Sequence, residues 1–268
     1  MRKKGDILIF GARNRPQWVR NAENRSECPL FRLGRWPGLA EAAAAAAGMV
    51  LFGLFAHARP PLLVLAVAGL SLAAAGVSRA VLLAPSPLAI LGLWPVPRRA
   101  AIDTLLGLLL GLAGAAWYRY HLGWPLLPRA ARGFVLVAAA IGGAEELLYR
   151  GYLQGRLRRS FAAVPRPAGE GGGEGAAAAT DAPWRLGAIA AVALAAGSHA
   201  AYKTALFAFP PEGMAADLPL IAAATVLGGA VFGALREVSG SVLPAVAAHV
   251  AFDLAVYAEQ ARAPWWVW

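Results

Sequence analysis

Seven stretches of this chain are apolar over the length a bilayer demands, and that constrains its fold more than any other feature. A hydrocarbon core takes about 20 mainly apolar residues per crossing helix. The stretches run at 38–57, 61–83, 101–117, 133–153, 186–207, 218–235 and 242–258. They predict an all-α, polytopic transmembrane helix bundle with seven spans, or eight if 85–96 also crosses. That stretch is short and carries Pro85, Pro87, Pro95 and Pro97, so it reads as an interfacial or re-entrant piece. Composition agrees. Hydrophobic residues make up 59% of the chain and charged residues 15%, against roughly 25% charged in a soluble domain. So few charges hardly furnish a polar shell. A disordered chain and a disulfide scaffold are excluded, and the single Cys28 has no intramolecular partner.

The net charge of +10 points to lipid rather than nucleic acid because of where it lies. Residues 1–35 hold nine Lys/Arg against Asp6, Glu23 and Glu27, just ahead of the first apolar run. Such a cluster marks a cytoplasmic flank that meets anionic lipid. With the N-terminus inside, the inner segments carry 17 Lys/Arg and the outer ones five, Arg119 among them. That bias favours N-in, C-out. Trp117, Tyr118, Tyr120 and Trp124 fit an outer aromatic belt, as do Trp265, Trp266 and Trp268. No cleaved signal is expected, since the apolar stretch Ile7–Phe10 is too short.

The chain divides into a basic cytoplasmic segment (1–37), N-terminal membrane helices (38–130), a second helical core (131–260) and an aromatic tail (261–268). Within the core, 160–183 is rich in Gly, Pro and Ala and reads as a flexible cytoplasmic loop. Gly107/Gly111 and Gly229/Gly233 supply two GxxxG spacings, which allow helices to approach closely.

Ionisable residues inside spans cost about 2.5–3.5 kcal/mol each at mid-helix on insertion scales. Three late spans carry them regardless. The fourth holds Glu145 and Glu146, about 100° apart on a helix. Glu146 and Arg150 stand at i,i+4 with the acid first, which favours an ion pair. Glu145 is then the unpaired carboxylate and the candidate general base or acid. The fifth span holds His199, with Lys203 one turn on and expected to snorkel outward. The seventh holds His249 and Asp253 at i,i+4, on one face. That pair suits a divalent metal with a further ligand, or an oxyanion site, or a helix-packing contact. At 1.5 Å per residue, Glu145, His199, His249 and Asp253 all fall in one band of the inner and middle bilayer, so one cavity can hold them.

Glu145-Glu146-Leu147-Leu148-Tyr149-Arg150, then His199, then His249-Val250-Ala251-Phe252-Asp253 together resemble the signature of the CPBP intramembrane proteases. That family includes the CAAX prenyl endopeptidases and the bacterial Abi-type proteins. The resemblance covers about 133–258 and extends to the lead-in Phe232–Arg236 and Gly240–Pro244. It implies that Glu145 with His199 activates the attacking water, that His249 and Asp253 form the oxyanion site, and that Glu146 and Arg150 support them. Two departures stand out. Ala195 occupies a position where the family often has Phe, and Asp253 stands where the CAAX enzymes usually have Asn.

The expected function is therefore an intramembrane endopeptidase, a CAAX protease-like hydrolase in a bacterial inner membrane. Its partners are the lipid bilayer and a membrane-anchored protein or peptide substrate, with no nucleic acid. Metal dependence stays open: Glu145, His199 and His249 form the ligand set if zinc is used, while Glu145 and His199 suffice without it. Two other classes compete. One is a non-catalytic scaffold or bacteriocin-immunity-type protein. The other is a proton-coupled transporter, since buried Glu, His and Asp also mark proton relays.

Overall fold

The computed structural model describes residues 35–82, 84, 86–94, 96, 99–162, 181–210 and 215–261. The chain divides into two units, Met1–Gly34 and Arg35–Trp268. The basic cluster of the first unit lies outside the described residues. So do Pro85, Pro95, Pro97, most of the Gly-rich loop (163–180), and Trp265, Trp266 and Trp268 of the aromatic tail.

Within the second unit, all regular structure among the described residues is helical. Helices α1 (Arg35–Phe55) and α2 (Leu63–Leu82) form a hairpin through a 3₁₀ turn at Pro60–Leu62. They touch through glycine. A Cβ on Gly48 would collide with the Gly69 carbonyl, and one on Gly69 with the Gly48 carbonyl. Helix α4 (Ala100–His121) packs along α9 (Leu243–Val256). There, Cβ atoms on Gly107 and Gly111 would overlap the carbonyls of Pro244 and Ala248. Helix α8 (Leu218–Ser239) packs on α7 (Asp181–Phe207), with Gly229 against Ala196 and Gly233 against Val192. Both GxxxG spacings are thus packing seams. Asp217 caps α8 by accepting from the Leu220 amide at 3.0 Å. The helix ends at Gly240, whose φ of 72° is the left-handed stop that favours glycine.

Helix α5 (Phe134–Glu146) does not end where its α-geometry does. It continues as a π-helical stretch, Leu147–Gln154, and then as α6 (Gly155–Ala162). Tyr149 through Gln154 are all buried, so the last six residues of this segment are enclosed. Short π segments are often found at functional sites.

Over its described residues, each of the seven apolar stretches is mainly helical. Four helices are long and apolar enough to cross a membrane among the described residues: Gly38–Phe55, Pro60–Leu82, Ala100–His121 and Leu218–Ser239. They expose large apolar side chains, among them Val67, Ile102, Leu105, Leu109 and Leu227. Apolar surface on this scale belongs in lipid, and the protein is an integral membrane protein. Among its described residues, the stretch 85–96 contributes a four-residue helix, α3 (Pro87–Ile90), about 6 Å long and too short to cross. Its following turn braces the core. Gly92, at φ 71°, accepts from the Val242 amide at 3.0 Å and the Ser241 hydroxyl at 3.3 Å.

Arg119, one of the cations counted to the outer segments, is completely buried. It donates to the Pro125 carbonyl at 2.5 Å and the Ala255 carbonyl at 3.0 Å, and pairs with Glu259 at 3.3 Å. It clasps the end of α4 to the end of α9.

Candidate functional site

The three helices that carry buried charge converge on one cluster. The α5–π segment presents Glu145, Glu146 and Arg150. Helix α7 presents His199 and Lys203, and α9 presents His249 and Asp253. Glu145, Glu146, Arg150, His199 and Asp253 are buried, with Glu146 and Arg150 fully inaccessible. Close approach makes this possible. A Cβ on Gly142 would lie 3.0 Å from His249 Cδ2 and run into the Asp253 carboxylate.

Glu145 is the hub. Its Oε2 lies 3.2 Å from His199 Nε2 and 4.0 Å from His249 Nε2. Its Oε1 lies 2.6 Å from Lys203 Nζ. Glu146 Oε1 meets His249 Nδ1 at 2.9 Å, and its Oε2 meets Arg150 Nε at 3.3 Å. Arg150 reaches onward, with Nη1 2.8 Å from His199 Nδ1. Asp253 Oδ2 stands 3.8 Å from His249 Nε2. The His199 ring stacks on Tyr149, with centroids 4.3 Å apart and planes 18° apart. Phe232 closes the far side of His249 at 5.8 Å.

All six residues singled out in the sequence meet here. The i,i+4 pairs Glu146–Arg150 and His249–Asp253 face each other as the spacing requires. Two expectations are overturned. Lys203 does not snorkel outward, and Glu145 is not unpaired: the two form the shortest contact of the cluster. The i,i+4 spacing from His199 puts Lys203 on the site's face of α7. In a low-dielectric core the nearby carboxylate attracts the ammonium more strongly than a distant interface does. Tyr149, which stacks on His199, and Tyr202, which lies roughly parallel beside it, were also missed. They read as ordinary span residues, and the π stretch that turns Tyr149 inward leaves no trace in hydrophobic periodicity.

The set Glu145, His199 and His249 does not fit zinc. A zinc-bound histidine ordinarily donates its other ring N–H to a carboxylate or carbonyl. His199 Nδ1 instead faces Arg150, whose guanidinium has donors only. The Lys203 ammonium already sits on Glu145. Among the described residues, no group of three or more His, Cys, Asp or Glu is arranged to hold a metal ion.

Apolar helices around a buried Glu–His–Asp cluster define a polytopic membrane protein with a buried polar core. Residues 124–255, just under half of the chain, match the family model described as type II CAAX prenyl endopeptidase Rce1-like. All six site residues lie within the match. No curated protein and no solved structure matches the chain.

Proposed function

We propose that the protein is an intramembrane endopeptidase that hydrolyses a peptide bond of a membrane-anchored protein or peptide presented from the inner leaflet. The observation that carries this is the convergence of two imidazole Nε2 atoms on Glu145 Oε2, at 3.2 Å from His199 and 4.0 Å from His249, inside the Rce1-like segment. Glu145 takes a proton from a water held beside it, and the oxygen attacks the scissile carbonyl carbon. His249 stabilises the resulting oxyanion. Asp253, 3.8 Å from His249 Nε2, helps orient that ring. The C–N bond then breaks, and Glu145 passes its proton to the leaving amine. Glu146 and Arg150 hold the two histidines in place.

In this reading the seven helical segments α1, α2, α4, α5–α6, α7, α8 and α9 cross a bacterial inner membrane, with the N-terminus cytoplasmic. Residues 38–130 form the N-terminal membrane helices and 131–260 the catalytic core. Prenylated CAAX substrates are the family precedent.

The Glu145–Lys203 contact supports a second reading, since a buried ion pair also suits a non-catalytic scaffold. One experiment separates the two. Membranes carrying wild type, Glu145→Ala or His249→Ala are incubated with candidate inner-leaflet substrates, and folding is checked by gel filtration. Cleavage by wild type alone supports the peptidase. A cellular phenotype fully rescued by Glu145→Ala would replace it with the scaffold.

A further inference from the structure

We infer that Arg150 is a positioning residue that fixes the tautomer of His199, making that histidine a hydrogen-bond donor to Glu145 rather than a second base. The inference rests on the peptidase reading for its consequence in turnover, but not for its geometry. Arg150 Nη1 lies 2.8 Å from His199 Nδ1. A guanidinium carries five N–H donors and no acceptor, so this contact is a hydrogen bond only when Nδ1 is bare. The ring proton then sits on Nε2, which points at Glu145 Oε2, 3.2 Å away.

Neither partner is free to escape the arrangement. Stacking on Tyr149 at 4.3 Å, with Tyr202 roughly parallel at 6.3 Å, restrains the His199 ring from flipping. Arg150 is fully buried and tied to Glu146 at 3.3 Å. Gly229 leaves it room, since a Cβ there would lie 2.6 Å from Arg150 Nη2. Donors and acceptors therefore run one way, from Arg150 to His199 to Glu145.

His249 is set the opposite way. Its Nδ1 faces the Glu146 carboxylate at 2.9 Å, which when ionised accepts and cannot donate, so that nitrogen holds a proton. Its Nε2 faces Glu145 at 4.0 Å and Asp253 at 3.8 Å. With carboxylates toward both nitrogens, His249 is the ring that can hold a second proton and offer Nε2–H to an oxyanion. His199, with a cation on one nitrogen, is not. The two histidines, alike in the sequence, thus have separate work: His199 steers the base, and His249 meets the developing charge.

The test is nitrogen NMR of the full chain in lipid nanodiscs with isotope-labelled histidine rings, assigned with His199→Gln and His249→Gln. The expected spectrum shows His199 bare at Nδ1 and protonated at Nε2. A proton on His199 Nδ1 overturns the inference, and this wild-type measurement stands even if no Arg150 variant folds. In Arg150→Met the His199 proton should spread over both nitrogens, with cleavage down about 100-fold, the lower range of general acid–base effects. Lost cleavage with an unchanged tautomer would make Arg150 merely structural and sink the inference. His199→Gln, whose amide still donates, should cleave about tenfold faster than His199→Ala. Equal loss in both would restore His199 as a base. Absence of cleavage by wild type defeats the peptidase reading alone, because the spectrum decides the tautomer independently.

Discussion

The helices α2, α4 and α8 and the helices α5, α7 and α9 solve different problems. The first three turn large apolar side chains outward, and their buried positions are mainly small: Ala66, Gly69, Ala73 and Ala80 on α2, and Ala100, Gly107, Gly111 and Ala115 on α4. In lipid an apolar face gains nothing by association, so helices hold together through close backbone packing instead. The second three bury carboxylates, imidazoles and cations toward one another. Their polar atoms have no water to fall back on, so register between them is set by pairing. One set builds a wall by shape, and the other fixes geometry by charge. A site that must hold a carboxylate beside two histidines draws its accuracy from the second.

The largest effect that would sharpen this contrast is on turnover. Glu145→Gln keeps the side-chain shape and removes the proton acceptor. Cleavage should fall by about 100- to 10,000-fold in an initial-rate assay, with the elution volume in detergent unchanged. Retained cleavage would show that the polar set is scaffolding.

Next comes the ion pair that the sequence hid. Lys203→Met leaves the Glu145 carboxylate without its ammonium in a site where the lysine side chain is only 16% exposed. Removing one member of a buried pair typically costs about 3–5 kcal/mol. Here about 3 kcal/mol is expected in denaturant unfolding from detergent. Combining Lys203→Met with Glu145→Gln should recover most of that loss, because no unpaired charge remains. Simple additivity of the two losses would mean the pair is not coupled.

How far the sequence reached follows from the same contrast. Helix positions and the i,i+4 pairs depend on local periodicity, so the seven stretches, Glu146–Arg150 and His249–Asp253 were legible. The meeting of Glu145, His199, His249 and Asp253 followed from depth, because residues at one level of a bundle share a layer. Lys203 was misplaced because long cations in spans usually reach an interface, and only the tertiary position of Glu145 turns this one inward. The burial of Arg119 was not legible for a related reason: its partners are the carbonyls of Pro125 and Ala255 and the carboxylate of Glu259, the last two over 130 residues away. The Gly48–Gly69 seam is formed by single glycines on separate helices, so no spacing within one helix announces it. The π stretch at Leu147–Gln154 has no sequence period short enough to read.

Shape packing in the wall can be broken by one methyl group. Gly111→Ala puts a Cβ onto the Ala248 carbonyl, backbone that cannot rotate aside, and α9 must shift. Overpacking of this kind costs about 1–3 kcal/mol, and about 2 kcal/mol is expected in unfolding experiments. Gly114→Ala on the same helix is the control. Its Cβ would meet only Phe252 Cδ2 at 3.7 Å, an ordinary contact, so stability should hold or rise slightly with helix propensity. Equal losses at both positions would refute the seam.

The smallest effect belongs to the outward face. Leu105 on α4 is 55% exposed, and in a bilayer that exposed surface meets acyl chains in both the folded and the dissociated state. Truncating it removes contact with lipid from both sides of the equilibrium. Leu105→Ala should therefore change stability by less than about 0.5 kcal/mol, as for a surface substitution. Leu153, 2% exposed between the helices, loses protein contacts that lipid does not replace, and Leu153→Ala should cost about 2–5 kcal/mol. A matched pair of unfolding curves in bicelles checks both. If Leu105→Ala destabilises as much as Leu153→Ala, α4 does not face lipid at that position, and the division between wall and polar core fails where it is drawn most sharply.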